Sequence, residues 1–347
     1  MTPGAAYRQA GHTADVVDVY RGTTPGVMHT AQHQVYDYVV APVHLDPGHP
    51  LLAGRKEPVI THHEAVRQLL GDCLPRPMVE ITGAQGKTTT AHALAHVLDG
   101  RGVLHTSAGT YAFPEKNLLW KKSITPASLI MAAGYAGRIP GWLVAEISLG
   151  VTGAGDLAII TSPDTYAFAG GTKDAVTEKI ASLSQAQRVL VAEGIVADRE
   201  NIVHINDIAR CNGPECTIVL DGMTCRVKNP LFLIPPYREP LMLAAAAAMM
   251  LHISPASIET FTALPGRMSL TRENGLIVID NANSGTNLNT TLCAARYARH
   301  CARMRDLTLV IGQAAGDGAV CEGFPPDQIA CAIEKVMPAH VVWIGQL

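Results

Sequence analysis

A lysine and a threonine that follow a short glycine-containing loop are the residues of this chain best suited to chemistry. The loop comes directly after the apolar run at 78–82, and an amphipathic stretch follows it. A strand, a loop and a helix in this order point the backbone N–H groups of the loop and the N-terminus of the helix at a single anion. The residues concerned are Gly83, Ala84, Gln85, Gly86, Lys87, Thr88 and Thr89.

We interpret that anion as a nucleotide phosphate. Lys87 is expected to reach the β- and γ-phosphates, and the hydroxyl of Thr88 is expected to bind Mg²⁺. The spacing is GxxGKT, and Ile81 stands where the more common eight-residue phosphate loop has its first glycine. The alternative is a tight strand-to-helix turn that carries an exposed lysine.

Glu146 is the predicted source of a carboxylate for the metal ion. Mg²⁺ takes oxygen ligands and keeps several waters, so one hydroxyl and one carboxylate can complete its contacts with the protein. Glu146 ends an apolar run, and the carboxyl ends of parallel strands lie at the edge of the sheet where ligands bind. We therefore predict that Thr88 and Glu146 are the metal ligands; the alternative is a solvated glutamate at a strand end.

These motifs, taken in order, resemble those of the Mur ligases and folylpolyglutamate synthases. The loop at 83–88 and the Glu146 run resemble the central domain of that family. Residues 264–268 resemble its PGR hinge segment, whose arginine, here Arg267, reaches the nucleotide phosphates. Residues 280–285 resemble its acidic Asn-Ala-Asn-Pro loop, which implies that Asp280 and Asn281 contact the nucleotide.

The resemblance implies an ATP- and Mg²⁺-dependent ligase that activates a carboxylate as an acyl phosphate. Its catalytic residues would be Lys87, Glu146, Lys179 and Arg267. Lys179 matches the lysine that several members carbamylate to hold a second Mg²⁺, although a lysine on a predicted helix is more often a solvated surface residue. Thr125 and Pro126 match the Thr-Pro of the loop beside the substrate.

Several departures from the family pattern separate this chain from cell-wall synthesis. No histidine follows the strand at 158–161, residues 237–242 lack the adenine-binding asparagines, and Asn283 replaces a histidine. Nothing in residues 1–75 matches a UDP-sugar pocket, and the third domain stops after its third strand.

The profile most resembles the Mur-like ligases of methanogenic archaea that close a carbocyclic ring on a nickel tetrapyrrole. The alternative is an amide ligase that adds an amino acid or dipeptide; a P-loop NTPase switch is less favoured because it gives Arg267 and Asp280 no role.

Composition supports a compact enzyme with a small-molecule partner. The 347 residues exceed one ordinary core, 48% are apolar, and the net charge of -3 gives little basis for nucleic-acid binding. With no secretory signal and no apolar run long enough to span a bilayer, we expect a cytoplasmic protein with reduced thiols.

Cys211, Cys216 and Cys225 lie near a turn, where surface thiols are more plausible than a metal site lacking a fourth ligand. We interpret the histidines at 29, 33, 44, 49, 62 and 63 as surface or core residues. Contact with a tetrapyrrole is the less favoured alternative.

A three-domain α/β architecture is needed to position these residues. Alternating apolar and amphipathic runs predict parallel strands at 78–82, 103–106, 143–147, 158–161, 189–191 and 202–205, with helices at 88–98, 127–136 and 174–187. The Asp-Gly pair at 221–222 predicts a hairpin, and an alanine-rich helix follows. We predict an N-terminal substrate domain at 1–75, a central ATP-binding domain at 76–264 and a short Rossmann-like domain at 265–347 that closes on ATP. The oligomeric state is not predictable.

Overall fold

The structure, a computed structural model, describes residues 3–19, 25–71, 74–282, 286–302, 306–312, 324 and 326–344. Asn283 and the rest of the 283–285 segment lie outside the described residues. The strands described are β1 (Val39–Ala41), β2 (Val59–Thr61), β3 (Met78–Thr82), β4 (Gly102–Thr106), β5 (Gly109–Phe113), β6 (Asn117–Trp120), β7 (Trp142–Glu146), β8 (Leu157–Ile160), β9 (Ala167–Phe168), β10 (Lys173–Asp174), β11 (Val189–Val191), β12 (Ile202–His204), β13 (Ala209–Asn212), β14 (Glu215–Leu220), β15 (Met223–Lys228), β16 (Ser269–Glu273), β17 (Leu276–Asp280), β18 (Thr308–Gly312) and β19 (His340–Ile344). The helices described are α1 (Pro3–Gln9), α2 (Pro25–His33), α3 (His62–Leu70), α4 (Lys87–Leu98), α5 (Pro126–Ala136), α6 (Ala175–Ser182), α7 (Ile205–Ile208), α8 (Pro235–Met250), α9 (Leu288–Ala302) and α10 (Pro326–Val336).

An eight-stranded sheet forms the centre of the protein, with strand order β12-β11-β8-β3-β7-β4-β5-β6. The first six strands in this order are parallel, which confirms the predicted α/β class and parallel sheet. Every residue of β3, β7 and β8 is buried. Helices cover both faces of such a sheet, so its strands are almost continuously apolar and carry no alternating pattern.

The sheet is extended at one edge by two strands that the sequence did not predict. β5 pairs antiparallel with β4, and β6 pairs antiparallel with β5. These strands are less buried than the central ones, and β6 contains no fully buried residue. Their short, partly polar runs lack the apolar signal of a central parallel strand, because an edge strand needs less buried surface.

Helices pack on both faces of the sheet and divide its core into two clusters. On one face, α4 and α8 lie together, with the alanines of α8 buried against the strands and α4. On the other face, α5 packs with α3 and with side chains of β4 and β7. Small side chains let two helices approach closely, which explains how a helix as alanine-rich as α8 can fill a core.

The N-terminal segment is attached to the central sheet through α3. His63, in the first turn of this helix, hydrogen-bonds the carbonyl of Ser148 at 2.9 Å. Arg67 donates to the carbonyls of Gly153 and Gln185 at 2.6 and 2.7 Å. The histidine pair at 62–63 therefore starts a helix, and His63 is a buried packing residue beside the strand that ends in the predicted metal ligand.

The remaining strands form smaller sheets. β13, β14 and β15 make an antiparallel three-stranded sheet that contains the predicted Asp-Gly hairpin, which is thereby confirmed. β16 and β17 form an antiparallel pair, and β18 and β19 form a parallel pair. α9 packs against α10 and against β17. The proposed domain boundaries at 75 and 264 stay predictions. No helix in the described part of the chain is long and apolar enough to cross a membrane.

A buried glutamate in the middle of β3 supports the loop that follows β7. Glu80 is completely buried, and its carboxylate accepts hydrogen bonds from the backbone N–H of Thr152, from the Thr152 hydroxyl at 3.0 Å and from the N–H of Gly155 at 2.9 Å. Burial raises the pKa of Glu80, and these hydrogen bonds oppose the shift. The carboxylate thus satisfies donors that would otherwise be buried and unpaired.

We predict that Glu80→Ala lowers the free energy of unfolding by about 2–4 kcal/mol, because it leaves several buried donors without a partner. Urea denaturation followed by circular dichroism would measure the loss. Glu200→Ala, at an exposed position, is the matched control and should change stability by less than about 0.5 kcal/mol. Equal stability of the two variants would contradict the supporting role of Glu80.

Candidate functional site

Two glycines make the turn between β3 and α4 possible. Gly83 has φ 149°, and a Cβ at this position would lie 2.2 Å from the Thr161 hydroxyl. Gly86 has φ 81° and precedes the first residue of α4. Any side chain at Gly83 would collide with the neighbouring strand end, so the loop needs a glycine there even though Ile81 replaces the glycine of the longer motif.

The loop is held by the end of β8 as well as by its own helix. The Ser162 hydroxyl accepts hydrogen bonds from the N–H groups of Ala84 and Gln85, each at 3.1 Å. The Thr161 hydroxyl donates to the carbonyl of Gln85. In this arrangement Ser162 occupies the N–H groups of Ala84 and Gln85, and their predicted contact with the anion stays a prediction. Lys87, Thr88 and Thr89 lie in the first turn of α4, whose N-terminal N–H groups have no partner within the helix, as the predicted anion site requires.

Lys87 lies over its own loop. Its ammonium group donates to the carbonyls of Gly83 at 2.9 Å and Ala84 at 3.3 Å, and it lies 3.9 Å from a carboxylate oxygen of Glu146. The lysine is thus placed beside the predicted phosphate and metal sites, as the sequence indicated. The alternative of a lysine exposed on a simple turn does not fit these contacts.

Glu146 is a buried carboxylate at the centre of the site. Its side chain is 2% exposed, and one oxygen accepts from the Thr88 hydroxyl at 3.1 Å and from the N–H of Ser107 at 3.0 Å. The alternative of a solvated glutamate is therefore wrong. Within the described ranges no group of three His, Cys, Asp or Glu side chains could hold a metal ion, whereas the hydroxyl and carboxylate oxygens present here are the donor type that Mg²⁺ prefers.

Arg267 reaches this centre from the segment after α8. Its guanidinium donates to the Thr88 hydroxyl at 3.5 Å. The buried hydroxyl of Tyr237 accepts from the N–H of Leu264 at 2.7 Å and donates to the carbonyl of Arg267 at 2.6 Å. Both ends of the 264–267 turn are therefore fixed to the first turn of α8, which aims the arginine at the phosphate loop.

Asp280, the last residue of β17, lies beside the 264–267 turn that carries Arg267, and Asn281 follows it. One Asp280 oxygen accepts from the N–H of Gly266 and the other from the N–H of Ala282, both at 3.0 Å. The carbonyl of Asn281 accepts from the Thr286 hydroxyl at 2.7 Å. Asp280 thus organises the turn that carries the arginine, and its predicted contact with the nucleotide stays a prediction, as does that of Asn281.

Lys179 is buried, so the interpretation of a solvated surface lysine is wrong. Its side chain is 1% exposed, and its ammonium nitrogen has no hydrogen-bond partner among the described residues; the ring of Tyr166 lies 5.8 Å from it. Burial and the nearby charge of Lys87 lower the pKa of Lys179 to about 8, against the opposing charges of Asp164 and Asp174. Such a lysine is neutral far more often than an exposed one.

A buried histidine that the sequence analysis did not identify connects the elements around the site. His105 is 1% exposed, and its ring nitrogens lie 2.7 Å from the Thr110 hydroxyl and 3.0 Å from the Ser128 hydroxyl. The Ser128 hydroxyl donates to the carbonyl of Thr125 at 2.6 Å, so the ring N–H must be on Nε2. Burial lowers the pKa of His105 to about 4, and the neutral ring joins β4 to the predicted Thr-Pro segment.

Comparison with known proteins gives one consistent result. A family model described as "Coenzyme F430 synthetase CfbE, C-terminal domain" matches residues 270–347. The chain is 30% identical to the coenzyme F(430) synthetase of Methanosarcina acetivorans over 90% of this chain and 78% of that protein. It is 22% identical to the coenzyme F(430) synthetase of Methanocaldococcus jannaschii over 90% of this chain and 74% of that protein.

A solved structure shows the same fold. The UDP-N-acetylmuramoylalanyl-D-glutamyl-2,6-diaminopimelate–D-alanyl-D-alanyl ligase from Acinetobacter baumannii superposes with a TM-score of 0.56 at 16% identity, covering 82% of this chain and 66% of that chain. At this identity the likeness concerns the arrangement of strands and helices. It confirms the predicted Mur-ligase-like fold.

We predict that Glu146→Gln weakens binding of Mg-ATP at least about tenfold, equivalent to ~1.4 kcal/mol. The amide can still accept from Ser107 but lacks the charge that a divalent cation needs. Titration calorimetry with Mg²⁺ and with EDTA separates a loss of metal binding from a loss of binding to ATP itself, since the affinity for metal-free ATP should change little. Glu115→Gln, exposed in the turn between β5 and β6, should bind Mg-ATP as the wild type does. An unchanged Mg²⁺ dependence in Glu146→Gln would exclude Glu146 as a metal ligand.

Proposed function

The chain belongs to the coenzyme F430 synthetase family, and we propose that it uses ATP to close the carbocyclic ring of the nickel tetrapyrrole seco-F430 acid, releasing ADP and phosphate. The likeness to a named coenzyme F(430) synthetase along 90% of the chain carries this proposal. The grouping of Lys87 and Thr88 around the carboxylate of Glu146, with Arg267 donating to Thr88, supports it, because a ligase of this type needs such a centre.

A carboxylate must be activated before it can accept a nucleophile. In the proposed reaction a carboxylate oxygen of the substrate attacks the γ-phosphorus of ATP, the bond to the β-phosphate oxygen breaks, and ADP leaves. The acyl phosphate is then attacked by a carbon of the same tetrapyrrole; the new carbon–carbon bond forms, phosphate leaves, and the attacking carbon gives up one proton. Negative charge gathers on the transferring phosphoryl oxygens, so positive groups placed beforehand lower the barrier.

Lys87 and Arg267 are the cations proposed to meet that charge. Lys87 moves from the carbonyls of Gly83 and Ala84 to the phosphates when nucleotide enters, since a phosphate is a stronger acceptor than a carbonyl. Arg267 already donates to the hydroxyl of Thr88 and is aimed by the Tyr237 contacts. Its fixed fork of N–H groups suits a phosphate better than a lysine would.

Thr88 and Glu146 would hold the Mg²⁺ ion that accompanies ATP. Their oxygens lie 3.1 Å apart at the start of α4, and Glu146 is buried with Lys87 as its nearby cation. A bound Mg²⁺ would neutralise charge on the phosphate oxygens. Until it binds, the Thr88 hydroxyl and the Ser107 N–H stabilise the carboxylate in its place.

Water must be kept from the acyl phosphate, which it would hydrolyse. We propose that the segment from 265 onward closes over the central sheet as a separate domain, because Arg267 belongs to it and Thr88 belongs to α4. The turn at 264–267 is then the hinge, fixed on one side by Tyr237 and on the other by Asp280. Closure of this kind both completes the site and excludes solvent.

Ring closure needs no second substrate, and this distinguishes it from amide formation. Holding the nucleophile and the acyl group in one bound molecule converts a bimolecular step into an effectively unimolecular one. The alternative, a ligase that adds an amino acid or dipeptide, needs a pocket for the incoming amine and its carboxylate. The comparisons favour it less, since the two methanogen relatives bear the synthetase name.

We predict that the purified protein releases ADP and phosphate when given only ATP, Mg²⁺ and seco-F430 acid, with a matching change in the absorption spectrum of the tetrapyrrole. Coupled ADP detection and chromatography of the product measure the two together. Lys87→Ala should turn over at least about a hundredfold more slowly, because it removes a cation from the transferring phosphoryl group. An absolute requirement for an added amino acid would exclude ring closure and favour the amide ligase.

We further propose that Lys179 is carbamylated and that the carbamate assists a second Mg²⁺. Carbamylation joins the neutral amine to carbon dioxide and releases a proton, so a lowered pKa favours it. With a pKa of about 8 instead of 10.5, roughly a tenth of the Lys179 side chains are neutral at pH 7. A buried, unpaired nitrogen with this pKa fits the modification better than a structural role.

We predict a carbamate carbon resonance in the ¹³C NMR spectrum of protein equilibrated with ¹³C-bicarbonate, growing as the pH rises toward 8 and the amine loses its proton. The resonance should be absent from Lys179→Met and present in Lys228→Met, whose lysine is exposed. Removing carbon dioxide should lower the turnover of the wild type at least about tenfold. A resonance that persists in Lys179→Met would show that another amine is modified.

A further inference from the structure

Two cysteines face each other across the hairpin formed by β13 and β14. Cys211 and Cys216 are directly opposed partners in this antiparallel pair. The strands are joined by Gly213 and Pro214, and Gly213 has φ 60°, which suits the first central position of a tight hairpin turn. The register of the two thiols is thus set by the turn.

The separation of the two residues suits a disulfide bond. Directly opposed residues of an antiparallel pair have Cα atoms about 4.5–5.5 Å apart and side chains on the same face of the sheet. Disulfides span Cα separations of about 4.4–6.8 Å. Both thiols are free in the structure, and the usual Cα separation of such a pair falls within the range that a disulfide spans.

The two thiols differ in access. Cys216 is completely buried, whereas Cys211 is partly exposed and lines a cavity of about 440 Å³. Four charged side chains line the same cavity, and they are Glu193, Arg210, Arg238 and Glu239. A small charged molecule can therefore approach Cys211 from solvent, whereas Cys216 is shielded from solvent and does not line the cavity.

The two thiols also differ in acidity. Side-chain hydrogen bonding with Cys216 and the positive charge of Arg238 lower the pKa of the Cys211 thiol, against the opposing effect of burial. The same hydrogen bond and burial raise the pKa of Cys216. The thiolate is the nucleophile in disulfide exchange, so the exposed member of the pair is also the reactive one.

We propose that Cys211 and Cys216 form a redox-active dithiol, a modification site at which low-molecular-weight disulfides oxidise the protein. The Cys211 thiolate attacks one sulfur of the disulfide, a mixed disulfide forms, and one thiol of the reagent leaves. The Cys216 thiol then loses its proton and attacks the Cys211 sulfur, releasing the second thiol and closing the Cys211–Cys216 bond. The two cysteines are oxidised by two electrons, and the reagent disulfide is reduced to two thiols.

A third cysteine provides the internal comparison. Cys225, on β15, lies on the same face of the sheet because its partner Ile218 is two residues beyond Cys216. Burial and the charge of Glu259 raise its pKa, and it does not line the cavity. The proposal therefore assigns the attacking role to Cys211 and the resolving role to Cys216, and it gives Cys225 none.

The test uses the reduced full-length chain and glutathione disulfide, read by intact mass and by peptide mapping without reductant. The wild type and Cys225→Ser should lose two hydrogens and yield a peptide pair joined at Cys211 and Cys216. Cys216→Ser should stop at a glutathione adduct on Cys211, because the resolving thiol is missing. Cys211→Ser should leave Cys216 reduced.

Should a variant fail to fold, the wild type supplies a second measurement. Under limiting iodoacetamide, Cys211 should be alkylated at least about tenfold faster than Cys225, as expected for a thiol of lowered pKa with open access. A disulfide between any other pair would overturn the proposal. So would an adduct on Cys216 in Cys211→Ser that forms as fast as the Cys211 adduct in Cys216→Ser, or equal alkylation of Cys211 and Cys225.

Discussion

The burial of one carboxylate, that of Glu146, is the constraint on which the proposed nucleotide site depends. An ionised carboxylate taken out of water is costly unless it is hydrogen-bonded and near positive charge. The Thr88 hydroxyl and the Ser107 N–H provide the hydrogen bonds, and Lys87 provides the charge. Because these partners come from different elements, the carboxylate fixes the end of β7 relative to the start of α4 and the residue after β4. A divalent cation would enter a centre that is already arranged around oxygen donors.

A second set of contacts keeps that centre in place from outside it. His105, which precedes Ser107 by two residues, joins β4 to β5 and to α5 through two hydroxyl groups. Its neutral ring can serve as donor at one nitrogen and acceptor at the other, which a charged histidine could not do. On the opposite side, Ser162 and Thr161 hold the phosphate loop from the end of β8. The His105 contacts hold the strands and the helix around the centre, and the hydroxyls of Ser162 and Thr161 hold the loop itself.

The first turn of α8 connects the nucleotide centre with the dithiol hairpin. Tyr237 fixes the turn that carries Arg267, and Arg238 lies beside the thiol of Cys211. Pro240 packs near the Cβ position of Gly86, at 3.4 Å, so the same helix start also borders the phosphate loop. One helix end thus contacts the arginine turn, the loop and the redox-active pair. Chemical change at Cys211 would take place next to the elements that position the nucleotide, whatever the substrate of the enzyme.

The sequence by itself determined the features that depend on local pattern. Buried parallel strands are continuous apolar runs, and the strand-loop-helix order around Lys87 is specified within a dozen residues, so both were predictable. Only the tertiary structure decided which N–H groups of the loop donate to Ser162. It also decided that Lys179 is buried, although its helix is short and contains both polar and apolar residues. The same holds for His105, which joins three elements. The edge strands β5 and β6 escaped prediction because their short, partly polar runs lack the apolar signal of a central strand, although their partners are neighbours in the sequence. Burial and pKa follow from the summed neighbours of a side chain, and several of these neighbours, such as Ser162 for the loop at 83–86, lie far away along the chain, so no local pattern encodes them.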